Sequence, residues 1–595
     1  MLSKILIANR GEIAVRVIRT ARELGIATVA VYSEIDRDAM HVRMADEAYL
    51  LGPAAPAQSY LNIPKLLEVA KSSGAQGIHP GYGFLAENAA FAREVIAAGL
   101  TWIGPHPEAI DAMGDKMRAR QAMVKAGVPV VPGGTQPIAD VSAARAAAEK
   151  FGLPLALKAS GGGGGKGLKV ARTLDELPSA LATAQREAEA YFKNGTIYAE
   201  RYLDNPKHVE LQILADKHGT VLHVGERDCS LQRRHQKLWE EAPATISEKV
   251  RQGMRDAGIR AAQVIGYDSV GTIECLVTGD EFYFLEMNTR IQVEHTVSEM
   301  ISGLDLIREQ ILIAAGEKLG YTQSEIVFRG HAIEGRVNAE DPAHNFRPAP
   351  GTVTEYREPG GLGIRVDSAA YPGFTVTPDY DSMIAKLVVW APTRPEAIAR
   401  LRRAIDEYEI AGVPTTLPLL RALCDQPPVI DASYGTATLE AFAAEHFAAL
   451  NGVATPSHAE VSKLPEVSKL PEVSKGPEIR VEVNDKLYRV RLIDVPSMPR
   501  GGSIPHHDKT KPPRSAHKKR GVAQAGNEVS TPMHGVVVEI AVKEGDAIEQ
   551  GQVVAVVEAM KMMNEIRAHK AGTATKIHAT AGDTVESGSP LITID

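Results

Sequence analysis

Short apolar runs alternate with stretches of helical periodicity from the first residues onward. Residues 5–8 are apolar, Asn9-Arg10-Gly11 reads as a turn, and 12–24 repeats apolar residues at helical spacing until Gly25 stops it. Residues 28–32 form a second apolar run, so the order predicts a βαβ unit with a glycine at its first turn. The alternation continues to Trp102-Ile103-Gly104. Acidic Glu34 and Asp36 follow at about the distance where a dinucleotide fold holds a ribose. Of the GxGxxG pattern only Gly11 is present, which argues against that use. The turn-rich stretch His79-Pro80-Gly81-Tyr82-Gly83-Phe84-Leu85 would line a pocket or merely close a loop.

At the other end the pattern shortens to that of strands. Residues 535–558 align without gaps with 572–595, matching Gly535 to Gly572, Gly545-Asp546 to Gly582-Asp583 and Gly551 to Gly588. Each half reads as β-branched strands broken by turns, too short to enclose a core alone. Two halves together make a small antiparallel sandwich. Lys561, flanked by Met560 and Met562, falls in the turn between them, as an ordinary surface lysine or as a side chain held out to carry a group. Before this repeat, a Glu-Val-Ser-Lys-x-Pro unit recurs at 460–465, 466–471 and 472–477, and 500–526 is rich in Pro, Gly, Lys and His. Such tracts build no core and read as linker. Residues 479–483 and 487–493, joined through Asn484-Asp485, predict a β-hairpin. A lone hairpin is marginal in water, which makes it a candidate for docking a partner.

Composition adds bounds. A chain of 595 residues forms several domains. No apolar run nears the roughly 18 residues of a membrane span, and the N-terminus is a strand pattern rather than a signal peptide. Cys229, Cys275 and Cys424 form neither CxxC nor zinc spacing. The expectation is a cytoplasmic protein without membrane contact or structural metal. A net charge of −8 predicts no nucleic-acid partner.

The middle of the chain carries the chemistry. The glycine run 161–165, with Lys166 and Gly167, joins strand-like 155–159 and 168–171, so its backbone N–H groups could approach a phosphate closely. The Walker register fails there, because Gly167 stands where a magnesium-binding Ser or Thr belongs. Lys116 and Lys158 upstream are candidate phosphate partners. The run 232–237, followed by Glu240 and Glu241, is either a solvated loop or an anion site. If 282–295 is extended, Glu286, Asn288, Arg290, Gln292 and Glu294 share one face. Glu274 on the preceding strand adds another oxygen ligand. Such oxygens suit Mg²⁺ or Mn²⁺ bridging nucleotide phosphates. The planar fork of Arg290 suits an oxyanion such as bicarbonate, and Glu294 beside it could act as a base. The alternative is a structural ladder of ion pairs.

Residues 1–446 resemble the biotin carboxylase family throughout, by motifs at 79–85, Met113-Gly114-Asp115-Lys116, the glycine loop, 232–237, 286–295 and 331–342. The sequence Glu558-Ala559-Met560-Lys561-Met562 resembles the biotinyl domain; the related lipoyl domain usually has Asp-Lys-Ala at this turn. The resemblance implies a multidomain chain. Its parts would be an α/β N-terminal domain at 1–113, an α+β ATP-grasp domain at 114–315 and an α+β C-terminal unit at 330–446. A linker at 447–526 and an all-β biotinyl sandwich or flattened barrel at 527–595 would follow. It implies ATP held by Lys116, Lys158, Gly164, Gly165, Glu200, Arg201, Tyr202, Leu203, His208, Gln232 and His235. Glu274, Glu286 and Asn288 would bind two Mg²⁺ or Mn²⁺ ions. Lys237, Arg290, Gln292 and Val293 would hold bicarbonate, with Glu294 as its base. Arg336 would stabilise an enolate-like oxygen of biotin, which Lys561 would carry covalently.

The chain departs from the family pattern at three positions. Gly335 stands for a usual cysteine, Thr296 for the proline after His295, and His534 for the proline before Gly535; every charged catalytic position of the family pattern is kept. No carboxyltransferase follows the carrier, so the resemblance is to the fused α-subunit of an acetyl- or propionyl-CoA carboxylase. A separate carboxyltransferase β-subunit would then make malonyl- or methylmalonyl-CoA, and acyl-CoA would meet the chain only through that partner. Biotin protein ligase would load Lys561, and the chain would be a homo-oligomer within a larger complex. The rivals are another ATP-grasp ligase joining a carboxylate to an amine, and a non-catalytic biotin carrier with a nucleotide-sensing domain.

Overall fold

The structure is a computed structural model describing residues 2–134, 136–160, 168–192, 194–448, 478–483, 486–491, 527–533, 535–559, 562–586 and 588–595. Gly164, Gly165, the linker repeats, His534 and Lys561 lie outside these residues. Two units form, one from Met1–Asn451 with Asn527–Asp595 and one from Gly452–Gly526.

The first elements follow the apolar pattern. Strand Lys4–Ile7, helix Gly11–Glu23 and strand Ala27–Ser33 form the expected βαβ unit, and Gly11 takes φ +67° at its turn. Their sheet is parallel, with Lys4–Ile7 between Ala27–Ser33 and Gly77–His79 and with Glu47–Gly52 and Thr101–Trp102 at its edges. The acidic residue expected of a dinucleotide site is otherwise engaged. Both oxygens of Asp36 accept from Arg10, each at 2.7 Å.

Leu155–Ala159 pairs antiparallel with Leu168–Ala171 and with Ile197–Arg201, under helices Val141–Phe151 and Leu177–Phe192. Glu200 and Arg201 end the last of these strands. An eight-stranded sheet forms the largest layer. Its order is Glu281–Asn288, Val270–Thr278, Lys207–Ala215, Val221–Arg233, Gln236–Ala242, His331–Asn338, Met383–Ala391 and Ile364–Ser368. The pairing of Gln236–Ala242 with His331–Asn338 runs this sheet on into the residues after 330. Helix Glu248–Val264 covers one face, against Val209, Leu211 and Ile213.

The C-terminal residues form two four-stranded sheets. One joins Glu528–Ser530, Pro590–Ile594, Gly572–Ile577 and Ala547–Ile548; the other joins Met562–Arg567, Val553–Ala559, Gly535–Ile540 and Thr584–Val585. Each half of the repeat lends its short middle strand to the other's sheet, which is why neither half stands alone. Val537, Val557, Leu591 and Ile592 are buried in their shared core. Ala559 pairs with Met562, the last described pair on either side of Met560 and Lys561. In the second unit, Glu478–Val483 pairs antiparallel with Lys486–Arg491, the hairpin expected there. Among the described residues no helix is long and apolar enough to cross a membrane, and the three cysteines are free and buried.

Candidate active site

Strand alternation builds the site's floor. On Lys207–Ala215, Val209, Leu211 and Ile213 turn to the helix-covered core, so His208, Glu210 and Gln212 face the other side. Register then lines up charge across four strands: Arg227 opposes Glu210, Glu210 opposes Glu274, and Glu274 opposes Glu286. Three carboxylates in a row repel unless cations lie among them. Arg227 Nη2 donates to Glu210 at 2.9 Å, His208 Nε2 lies 3.0 Å from Glu274, and Lys116 Nζ lies 3.0 Å from Glu286. Burial disfavours the charged form of His208, but Glu274 and Glu210 raise it to about 9.

Lys237 holds the centre. Its ammonium touches Glu210 and donates to Glu274 at 3.0 Å and Glu294 at 2.8 Å. Burial opposes its charge, yet the three carboxylates hold its pKa well above the ordinary value. The other oxygen of Glu294 accepts from Arg336 Nη2 at 2.9 Å, and Arg336 Nε donates to Glu240 at 2.6 Å. Burial alone would raise the Glu294 carboxyl, but Lys237 and Arg336 bring it below its usual range.

The remaining expected residues close around this centre. Gln292 donates to Glu274 at 2.8 Å and accepts from Arg227 at 2.6 Å. Asn288 donates to Glu274 at 2.8 Å and accepts from Arg290 at 2.9 Å, while Arg290 Nε donates to Glu87 at 2.9 Å. Gln232 pairs with Lys237 across the strands, the Val293 carbonyl accepts from Lys386 at 3.2 Å, and His235 sits at φ +67° in the adjoining turn. Helix Lys116–Lys125 bridges to the second group. Lys116 meets Glu286, and Arg120, one turn on, donates to Glu200 at 2.6 Å. Glu200 also accepts from Lys158, and Tyr202 and Leu203 follow directly on that strand.

One sequence expectation needs correction, and one of two alternatives left open by the sequence falls away. The strand ends at Asn288, so the strict alternation read through Glu294 stops there. Residues 289–294 turn into helix His295–Ser302, and the turn itself brings Gln292 and Glu294 to the cluster. The acidic residues after 232–237 are not on a solvated loop: Gln236–Ala242 is a strand with Glu240 and Glu241 buried. Five members of the cluster have no role assigned from sequence: Glu210, Arg227, Glu240, Glu87 and Arg120. The two-residue spacing of His208 and Glu210 is a usable signal for one. The others are joined to the site only by pairing between distant segments.

The donor set fits divalent metal on chemical grounds. Glu274, Glu286 and Asn288 offer hard oxygens on two paired strands, with Glu274 opposite Glu286.

Known proteins match this arrangement in chain order. The family models are "Biotin carboxylase, N-terminal domain" over residues 1–110 and "Carbamoyl-phosphate synthase L chain, ATP binding domain" over 115–322. "Biotin carboxylase C-terminal domain" follows over 334–441 and "Biotin-requiring enzyme" over 527–594. Biotin carboxylase 1 of Bacillus subtilis is 51% identical over 74% of this chain and 99% of its own. The biotin-dependent acyl-coenzyme A carboxylase alpha3 subunit of Mycobacterium leprae is 44% identical over 100% of this chain and 98% of its own. The biotin carboxylase domain of Hydrogenobacter thermophilus 2-oxoglutarate carboxylase, solved as a dimer with MgADP, ADP and bicarbonate, superposes with a TM-score of 0.72. It shares 49% identity over 75% of this chain and 98% of that one. Models in sequence from first strand to last, with relatives matched over nearly their whole lengths, leave one assignment: the chain belongs to the biotin-dependent carboxylases and joins an ATP-binding biotin carboxylase to a biotin carrier domain.

Proposed function

We propose that the chain uses ATP and bicarbonate to carboxylate biotin held on its own Lys561, in the cytoplasm, and passes the carboxyl group to a separate carboxyltransferase β-subunit. One observation carries the reading: Glu294 is a buried carboxylate between Lys237 and Arg336 in a chain that also has a biotinyl sandwich. Bicarbonate is a poor electrophile and must first become carboxyphosphate. Arg290, Gln292, the Val293 backbone and Lys237 would hold it, and Glu294, ionised at neutral pH, would take its proton. Lys116, Lys158, Gly164, Gly165, Glu200, Arg201, Tyr202, Leu203, His208, Gln232 and His235 would hold ATP. Glu274, Glu286 and Asn288 would hold two Mg²⁺ or Mn²⁺ ions, which supply charge neutralisation at the phosphates when bound. Arg336 would stabilise negative charge on the ureido oxygen of biotin.

The acceptor reading is an acetyl- or propionyl-CoA carboxylase, with acyl-CoA bound by the partner. It is supported by the end-to-end match to a subunit named for acyl-CoA carboxylation. Biotin protein ligase would attach the cofactor, and pairing of two copies is supported by the dimer of the 2-oxoglutarate carboxylase domain. The test is ATP hydrolysis that requires bicarbonate and rises with free biotin; another ATP-grasp ligase or a passive carrier shows neither. The pure biotin-loaded chain should also fix labelled bicarbonate onto itself and stop there. Carboxylated acyl-CoA made by this chain alone would sink the two-subunit reading.

A further inference from the structure

Behind Arg336 lies a carboxyl group that the reaction as described does not use. Glu334 sits two residues before Arg336 on the same strand face, directly opposite Glu240 on Gln236–Ala242. Both carboxyls are wholly buried. Among the described residues, Glu240 Oε2 and Glu334 Oε1 each lack a hydrogen-bond partner, although each residue's other oxygen has one. Glu240 Oε1 accepts from Arg336 Nε at 2.6 Å, and Glu334 Oε2 accepts from the Thr296 hydroxyl. Two orphaned acceptors on facing carboxylates would be costly in a dry interior.

Among the described residues, every nearby cation is already committed. Arg336 is shared by Glu240 and Glu294. On the strand beyond, Lys386 Nζ lies 3.2 Å from Glu12 on the first helix and 3.7 Å from Asp367, and it donates to the Val293 carbonyl at 3.2 Å. Lys237, on the strand of Glu240, is taken by Glu210, Glu274 and Glu294. From the covering helix come Thr296 and His295, and burial holds His295 uncharged. A charged Glu334 would have no cation of its own.

We propose that Glu334 is a neutral carboxylic acid whose Oε1–H donates to Glu240 Oε2, and that it acts as a positioning residue for Arg336. One proton satisfies both orphaned oxygens, and the Thr296 hydroxyl donates to the remaining carbonyl oxygen. With Glu334 neutral, Glu240 is the only fixed anion on Arg336 once Glu294 has taken a proton. The guanidinium then keeps positive charge for an oxyanion in front of it. Ionising Glu334 adds a second anion behind Arg336 and weakens that interaction. Burial, with the charge of Glu240 next, pushes the Glu334 carboxyl far up. The functional half of the inference rests on the role proposed for Arg336; the protonation does not.

Infrared difference spectra of the full biotinylated chain in mildly alkaline buffer test it. The wild type should show the carbonyl stretch of one protonated carboxylic acid that Glu334→Gln removes. Thr296→Val should keep that band and move it to higher frequency, since the carbonyl loses its donor. As pH is raised, carboxylation of free biotin should fall over the interval in which the band titrates, towards about tenfold per pH unit. Glu334→Gln should lack that fall. Absence of the band would overturn the proposal, as would a rate that holds while the band disappears. Carboxylation unharmed in Arg336→Ala would instead defeat the role given to Arg336 and leave the acid band in place.

Discussion

Glu294 illustrates what a residue inherits from its neighbours. Its two oxygens meet different cations, Lys237 and Arg336, so it is ionised despite complete burial and is fixed in one orientation. Replacing it by glutamine keeps the shape and removes the proposed base. Bicarbonate-dependent ATP cleavage should then fall by about 10²–10⁴-fold with nucleotide binding retained. A fall of only a few-fold would mean that another group takes the proton. Glu241, one residue from Glu240, faces the opposite side and has a structural charge. Burial would raise its carboxyl, but His331, Arg394 at 3.0 Å and the Tyr434 hydroxyl lower it to about 2. Its stabilisation is therefore complete above the ordinary 4.5 and is lost as pH falls through the folded value. The shift corresponds to on the order of 3 kcal/mol. Denaturant unfolding should show Glu241→Gln less stable at neutral pH, with the gap to wild type closing progressively from about pH 5 down through about pH 2.

At the scale of elements, functional side chains depend on how closely backbones approach. The segment 132–134 runs beside the strand carrying Glu200: Arg201 N donates to the Pro132 carbonyl and Gly134 N to the Ala199 carbonyl, both at 2.8 Å. Gly133 forms a bridge with Glu200, and a Cβ there would lie 2.7 Å from the Ala199 carbonyl and 2.9 Å from Glu200 Cα. These are backbone atoms that cannot step aside alone. Gly133→Ala should therefore cost about 1–3 kcal/mol and push Glu200 away from Arg120 and Lys158. Weakened ATP binding together with lower stability is the expected pair of results. Unchanged binding would show that Glu200 is not needed where it stands.

At the scale of the whole molecule, the proposed function requires the carrier's biotin to meet both this chain's carboxylase site and a partner's site. Lys561→Arg should abolish biotinylation while the carrier keeps its fold, because the core of the two paired sheets is built from other residues, Val537, Val557, Leu591 and Ile592 among them. Avidin blotting reads the first and circular dichroism the second; biotin retained on the variant would place attachment elsewhere. Removing residues 479–493 should weaken assembly with the carboxyltransferase subunit, measured by co-purification, and leave carboxylation of free biotin intact. The reverse pattern would assign the hairpin to the carboxylase itself.

Local periodicity and short-range pairing are legible in the amino-acid sequence alone. The βαβ start, the strands flanking the glycine run, the hairpin at 478–491 and the two-fold sandwich all depend on neighbours close in sequence or on an internal repeat. Glu286, Asn288, Arg290, Gln292 and Glu294 are legible as a set for the same reason, although their alternation ends where the strand does. Tertiary structure alone decides which distant charges meet. Glu240 faces Glu334, Arg227 faces Glu210, and Arg120 reaches Glu200 because strand register and helix placement bring separate segments together. A residue's alternation says which face it occupies, but its partner on that face depends on how the other strand is registered. The protonation of a buried carboxyl depends in turn on those partners, so no local pattern in the chain encodes it.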